Sequence, residues 1–529
     1  MPTIEALWIV MTESKNSDGG PETDSGSQET ETAGEGAQAF DAGMAHQQAG
    51  RLEDAEREYR AAIDVHGDFF EAHVNLGVVL QSQGKAEDAA DVLLHAIHIN
   101  PDMAEIHYAL ATVYQDLNRT GDAQASFQRA LEINGVYVEA LNGLAVCRGT
   151  LGDVNGAVEA FNSAIEVNLE FAEAHNNLGT LHSKLGRMDD ALACFGRAMD
   201  INPDYAEAHR NYSHVLLLQG RFAEGWPEFR WRWQCRDFPS DKRAFPQVLW
   251  TGQPLDGKTI LVWGEQGVGD EIHFAEMVPD LYEAGARVIL ECETRLVPLF
   301  RRSFPAVTCI PRQTTSDAKA LAPDIDFQCP SGDLAGWLRT RLDDFPGRPS
   351  FLAANHARAE ALKETYRAGG RDLIVGIAWV SKNPEVGQEK SLDLSDWRGL
   401  AEIPGIRIVD LQYGDTAIER ASFEADTGAA IIHDESIDQM ADLDAFAAQV
   451  AAMDLVISVS NTTVHVAGAL GVPVWLMVNT VPLCVWMLKG ATSPWYPSLK
   501  LFRQSEAGIW DGVVGQIAEA LRKFAAARD

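Results

Sequence analysis

Basic residues are the scarce class in this chain. Its 529 residues carry 43 Lys and Arg against 77 Asp and Glu, a formal charge of −34. No basic run occurs, which argues against a general nucleic-acid or anionic-membrane binder, because phosphate surfaces are held by clustered cations. Cysteine is sparse too: seven, an odd number, with no CxxC pair. That leaves neither a disulfide framework nor a zinc site, and the thiols are expected as small buried hydrophobes in a reducing cytoplasm. No apolar run approaches the ~20 residues that cross a bilayer. The longest, around Ile374–Val380 and Leu455–Val459, read as buried strands. The N-terminus lacks the basic start and apolar core of a signal peptide, so a cytoplasmic location is expected. GxxxxGK[ST] and GxSxG are both missing, which excludes a P-loop and a hydrolase nucleophile elbow.

What is present is enough to fold. Hydrophobic residues make up 46% of the chain, and its length corresponds to about three to four domain-sized units. Residues 1–37 stand apart. From Thr12 to Gln38 they are Ser, Thr, Glu, Asp and Gly with almost nothing apolar, and they are expected to form a disordered acidic tail. Met1 and Met11 are alternative starts.

Residues 38–237 repeat themselves. Gly50, Gly84, Asn118, Gly152, Gly186 and Gly220 lie 34 positions apart. Ala55, Ala89, Ala123, Ala157 and Ala191 keep the same step, as do Ala62, Ala96, Ala130, Ala164 and Ala198. So do Tyr59, Leu93, Phe127, Phe161 and Phe195. Small residues suit the close approach of two helices, the large apolar residue fills the gap to the next hairpin, and Gly ends a helix in a left-handed conformation. Each unit exposes an apolar face that its neighbour must cover, which predicts a superhelix. The pattern resembles the tetratricopeptide repeat: five full units and a modified sixth. The sixth begins near Ala206 and runs into GRFAEGWPEFRWRW, read as a cap that docks the repeats onto the C-terminal half. Asn75, Asn177 and Asn211 share one position on the first helix of their units, while Asp41, Ala109 and Gly143 occupy it elsewhere. Such a ladder resembles that of eukaryotic O-GlcNAc transferase and is expected to bind an extended acceptor backbone in the groove; a plain polar groove position is the alternative.

After Trp250 the pattern becomes strand–helix alternation, which predicts parallel sheets. Expected strands are Lys258–Trp263, Ala286–Glu291, Leu373–Trp379, Ile406–Leu411, Leu455–Val459 and Val472–Met477. A helix from about Glu271 to Ala284, a short one between Asn461 and Leu470, and a last one over Trp510–Ala526 complete the reading. Two Rossmann-like lobes, 238–366 and 367–529, are expected to face each other across a cleft. The turn Gly264–Asp270 (GEQGVGD) is not the GxGxxG of dinucleotide sites. Asp442-Leu443-Asp444 and Asp324-Ile325-Asp326 match a DxD metal pattern superficially, but Asp at 442 and 444 suits a helix start. No metal and no cofactor are expected.

As a set, GDE at 269–271, VGIAW at 375–379, KS at 390–391, LQYGD at 411–415 and SVSNTTVHVAGALGVPVW at 458–475 resemble bacterial GT-B glycosyltransferases of the heptosyltransferase type. More closely, with GRFAEGWPEFRWRW, LVWGEQGVGDE and SPWYPSLKLFRQ, the chain resembles tetratricopeptide-repeat proteins carrying such a domain, over residues 40–529. Some of that group are flagellin glycosyltransferases that move nonulosonic acids to Ser or Thr. The resemblance implies a metal-independent, inverting glycosyltransferase using a nucleotide-sugar donor. It implies Asp270 as the base, with Glu271 and His273 beside it. It places Lys382, Lys390, Ser391, Gln412, Asn461, Thr462, Thr463 and His465 around the donor, and Tyr413 near its base. A helix cap, a core histidine and solvated lysines are the plain alternatives for these residues. Heptosyltransferases carry Asp-Thr where this chain has Ser460-Asn461, which counts against an ADP-heptose donor. Three readings stay open. One is a transferase acting on protein recruited by the repeats, flagellin among the candidates. The second is a transferase acting on glycan or lipid with the repeats as an assembly module. The third is a non-catalytic scaffold.

Overall fold

The computed structural model describes residues 27–383 and 387–527. They divide into two compact units. The first comprises the residues up to Leu181 together with Ala193–Pro203; the second comprises His182–Leu192 and everything from Asp204.

The first unit is helical throughout. It opens with the helix Ser27–Gln48, so residues 27–37, expected as disordered tail, are helical; residues 1–26 lie outside the described residues. This helix pairs with Leu52–Val65; the next pairs are Phe70–Ser82 with Ala86–Ile99, Ala104–Asp116 with Thr120–Ile133 and Val138–Thr150 with Val154–Val167, followed by the helix beginning at Ala172. The 34-residue logic is physical. Ala55, Ala62, Ala89, Ala96, Ala123, Ala130, Ala157 and Ala164 are all 0% exposed, because a larger side chain would push paired helices apart. Gly50, Gly84, Gly152, Gly186 and Gly220 hold φ between +70° and +86°, and Asn118 takes +56° in the same slot, so the turn conformation selects the residue. Tyr59, Leu93, Phe127, Phe161 and Phe195 are buried against small residues of the neighbouring helix. A Cβ on Gly179 would stand 2.7 Å from the Phe195 ring. Gly179→Ala is therefore expected to destabilise this unit by about 1–3 kcal/mol, read as a lower denaturation midpoint of its helical signal.

The second unit holds the modified sixth repeat and the α/β half. The helices Ala206–Leu218 and Phe222–Phe229 and the 3-10 turn Arg230–Gln234 pack here, so this repeat shares a core with the α/β residues. Every strand pairing among the described residues of the two sheets is parallel. The strands are β1 (Val248–Leu249), β2 (Thr259–Trp263), β3 (Arg287–Cys292), β4 (Thr308–Pro311) and β5 (Phe327–Pro330). Then come β6 (Leu373–Ala378), β7 (Ile406–Asp410), β8 (Ile431–Ile432), β9 (Leu455–Val459), β10 (Val474–Val478) and β11 (Leu499–Arg503). The first sheet runs β1-β5-β2-β3-β4 and the second β11-β10-β9-β6-β7-β8. The second is the doubly wound order, reversing direction between β6 and β9, where such sheets open a crevice at their carboxyl ends. β2, β6 and β9 are buried along their whole length, which is why they read as continuous apolar runs.

Two expectations shift. The region expected as one helix from 271 to 284 is broken into Val268–Phe274, a 3-10 turn and Val278–Glu283, with Pro279 at the first turn of the last piece. The boundary at 366/367 also moves. The helix His356–Arg367 belongs with the second sheet: Tyr366 Oη donates to Asp434 (2.7 Å), and Lys363 and Arg367 both pair with Asp454.

Candidate functional site

Loops at the carboxyl ends of the two sheets come together at a junction, here called the mouth. After β2 the chain turns through Gly264–Gly267 into the helix Val268–Phe274; after β9 it enters the helix Thr462–Ala469. These segments meet at Gly269. A Cβ placed there would lie 3.3 Å from His465 Cδ2 and 3.5 Å from Thr462 Oγ1. Only glycine lets the backbone come this close without displacing His465.

Asp270 is the next residue. Its Oδ2 accepts the Gly267 N–H (3.2 Å), fixing the carboxylate at the start of the helix. The residue keeps partial exposure, yet the surrounding protein removes enough water to push its pKa up to about 6. The Gly267 N–H works against this shift, Glu265 adds to it and Lys390 opposes it. A carboxylate near pKa 6 with access to solvent is suited to accept a proton at neutral pH. Gln266, in the same turn, holds φ +60°, a left-handed conformation uncommon for a residue with a side chain; its N–H donates to Ser240 Oγ (2.6 Å).

Glu271 is a correction. Successive helix residues point about 100° apart, so with Asp270 at the mouth Glu271 turns into the protein. It is 3% exposed, accepts the Glu293 N–H (2.8 Å) and pairs with Arg312 (2.8 Å), whose Nη1 also donates to Gly264 O (2.8 Å). Burial holds its pKa up at about 7, against Arg312. Glu271 braces the turn and does not reach the mouth.

The donor candidates separate in the same way. Lys390 is 5% exposed, and burial lowers its pKa while Asp270 acts to raise it. His465 is held neutral, its pKa pushed down to about 3 by burial first and by Lys390 second. Thr462 stays partly exposed beside Gly269. Lys390, His465, Thr462 and Asp270 are thus brought together. Asn461, Thr463, Gln412 and Ser391 are framework. Asn461 caps its helix by accepting the Thr463 N–H (3.1 Å), and its amide donates to Val380 O (3.2 Å), tying β9 to β6 across the switch point. Thr463 is 0% exposed and donates to Leu411 O (3.4 Å). Gln412 accepts from the N–H groups of Trp379 (3.0 Å) and Val380 (2.8 Å). Ser391 accepts the Ser381 N–H (2.9 Å) and donates to Gly387 O (2.7 Å), closing the loop that carries Lys390. Lys382 is exposed, with Nζ 5.5 Å from the Tyr413 ring centroid and its N–H donated to Tyr413 Oη (2.8 Å). Both DxD pairs are engaged. Asp442 caps a helix and Asp444 pairs with Arg302; Asp324 pairs with Arg287, and Asp326 accepts from Lys258 and from the Thr259 N–H.

The asparagine ladder is partly consumed by packing. Asn75 is buried and donates to Tyr59 Oη (3.3 Å), so it is not a free groove donor. Asn177 donates to Asn142 Oδ1 (3.1 Å), and Asn142, one position away from the ladder register, donates to Glu173 (3.1 Å). Asn211 is half-buried in the second unit.

Sequence reading missed one strong feature. Arg232, 1% exposed, makes two bonds to Glu265 (2.9 and 2.7 Å) and pairs with Asp333 (2.7 Å). Glu265 also accepts the Gly332 N–H (2.8 Å). Glu265 lies just past β2 and Gly332 just past β5, neighbours at the reversal point of the first sheet, so the repeat-derived arginine fills that crevice. The signal was in RWRW, where an arginine set among aromatics marks a buried, stacked guanidinium.

The chain thus carries tetratricopeptide repeats ahead of an α/β half built on two parallel sheets. Tetratricopeptide repeat models match residues 40–104 and 108–168, and again 172–205. It is similar to Protein FlbA of Caulobacter vibrioides, with 36% identity over 328 residues, 59% of this chain and 54% of that protein. The chain therefore spans about half the length of this curated relative. Among solved structures it is similar to a tetratricopeptide repeat protein from Parabacteroides merdae (20% identity, 37% of this chain and 77% of that one, TM-score 0.34). It is also similar to YrrB, described as a TPR protein with an unusual peptide-binding site (24% identity, 32% and 88%, TM-score 0.29). Among the described residues no helix is long and apolar enough to cross a membrane.

Proposed function

We propose that the α/β half is a metal-independent, inverting glycosyltransferase of GT-B arrangement, moving a sugar from a nucleotide-sugar donor to Ser or Thr of a protein engaged by the repeats. The observation that carries this reading is the close approach, at Gly269, of the turn bearing Asp270 to Thr462 and His465. Asp270 takes the acceptor hydroxyl proton as that oxygen attacks the anomeric carbon. The departing nucleotide phosphate is held by the Thr462 hydroxyl, the Lys390 ammonium and the His465 ring N–H, at the positive end of the helix dipole. Lys382 and Tyr413 border the donor's far end. Flagellin with a nonulosonic acid is the acceptor–sugar pair that the resemblance implies, and the cytoplasm is the compartment.

The test is a thermal-shift panel of CMP-, UDP-, GDP- and ADP-sugars. A donor at a hundredfold excess over its Kd adds about 2.7 kcal/mol to the folded state. One class should raise the midpoint, and the same class should then be turned over. A panel in which none does so sinks the reading. A second reading is favoured by Asn75 and Asn177, whose amides are spent inside the repeats. Here the transferase acts on glycan or lipid and the repeats serve assembly. Mass gain on a purified protein acceptor separates the two.

A further inference from the structure

Two buried side chains beside the mouth have no part in the chemistry above. Tyr496 is 0% exposed and His273 is 6% exposed. Tyr496 Oη lies 2.9 Å from Nδ1 of His465 and 3.4 Å from Nδ1 of His273, so one hydroxyl bridges imidazoles from the two lobes. The phenol ring cannot swing away. It lies against Gly468, where even a Cβ would stand 2.6 Å from it, and near Phe351 and Trp486, at 6.2 and 6.1 Å between ring centres.

The bridge contains one hydroxyl proton, which serves only one nitrogen. A phenol donates better than it accepts, and the shorter contact is to His465, so the O–H donates to His465 Nδ1. His273 Nδ1–H then supplies the longer bond to Tyr496 Oη. A neutral imidazole has one N–H, and with Nδ1 accepting, that proton sits on Nε2 of His465. The Cδ2 edge of His465, to which Nε2 is bonded, is the edge facing Gly269. Because burial and Lys390 keep the ring uncharged, its tautomer and not its charge decides what it offers a ligand.

We infer that Tyr496 is a positioning residue that locks His465 in the Nε2–H tautomer, so that the neutral ring presents a hydrogen-bond donor to phosphate oxygens at the mouth. The opposite tautomer would turn a bare lone pair on the same anion. Naming the ligand as phosphate rests on the proposed transfer reaction; the lock itself is a property of the free protein.

Long-range ¹H–¹⁵N NMR of the full chain, labelled at its histidine rings, reads this directly, with the His465 signals identified by their loss in His465→Gln. In the native protein Nδ1 of His465 should be unprotonated and Nε2 protonated, and inorganic pyrophosphate should shift the Nε2–H resonance. In Tyr496→Phe the two nitrogens should move toward a mixed-tautomer average, and pyrophosphate should bind about tenfold more weakly. A proton on Nδ1 in the native protein, or a tautomer unchanged in Tyr496→Phe, overturns the lock. An intact lock with no response to pyrophosphate overturns the donor role. If Tyr496→Phe does not fold, the native spectrum alone decides the tautomer. If no nucleotide sugar is ever turned over, the proposed reaction fails while the lock stands.

Discussion

Asp270→Ala is expected to lower sugar transfer by about 10²–10⁴-fold, the contribution of a positioned general base, while leaving donor affinity within a few-fold. The separation matters because Asp270 sits on one lobe and the proposed phosphate contacts, Thr462, Lys390 and His465, sit on the other. Single-turnover transfer and equilibrium donor binding, measured on the same preparation, check it. The pH dependence has a definite sign. A base must be ionised to act, and the Asp270 carboxyl is held up at about 6 by burial. Transfer should rise with pH through that value and level off above it. Asp270→Asn should retain the fold and remove this limb. Full activity in Asp270→Ala would overturn the assignment.

The second large effect falls on stability. Arg232→Ala should destabilise the second unit by about 3–5 kcal/mol, because it strands the buried Glu265 carboxylate and leaves the buried Asp333 only the longer pairing with Arg230 (3.6 Å). Glu265 is 0% exposed and Asp333 6%, so solvent does little to compensate. Burial already raises the Glu265 pKa, with Arg232 acting against that rise, and without Arg232 it should climb further. A group whose folded pKa exceeds its unfolded value favours the folded state most when protonated, below its unfolded pKa of about 4.3. That contribution is lost as pH rises through the folded pKa, so the variant's deficit should be larger at pH 7 than at pH 5. Urea denaturation at the two pH values measures this. Arg232→Met combined with Glu265→Gln should cost less than the sum of the single changes, since removing both partners avoids a stranded charge. Additive losses would mean that the pair is not coupled.

Much of the architecture was legible in the chain. The 34-residue step of Gly50, Ala55, Tyr59 and Ala62 marked the repeats, because each position answers to a local demand: a left-handed turn, a close helix approach, a gap to fill. The apolar runs at β2, β6, β9 and β10 marked the parallel strands, because burial on both faces removes alternation. GDE and SNTTVH marked the two turns that meet at Gly269.

The roles inside those motifs were not legible. Asn461 bonds Val380, 81 positions away, and Trp379 is braced by Gln412 from 33 positions away. Glu271 adjoins Asp270 in sequence but faces Arg312, and Arg232 in the last repeat answers Glu265 in the first sheet. Tyr496 reaches 223 positions back to His273. By itself the sequence determined the elements, the repeat and the short list of polar residues near two turns, since helix period, strand burial and turn conformation are local properties. Only the tertiary structure decided which of those residues face the mouth and which are spent as bracing. A polar side chain's availability depends on whether a partner arrives from a distant segment, and no local pattern records that arrival.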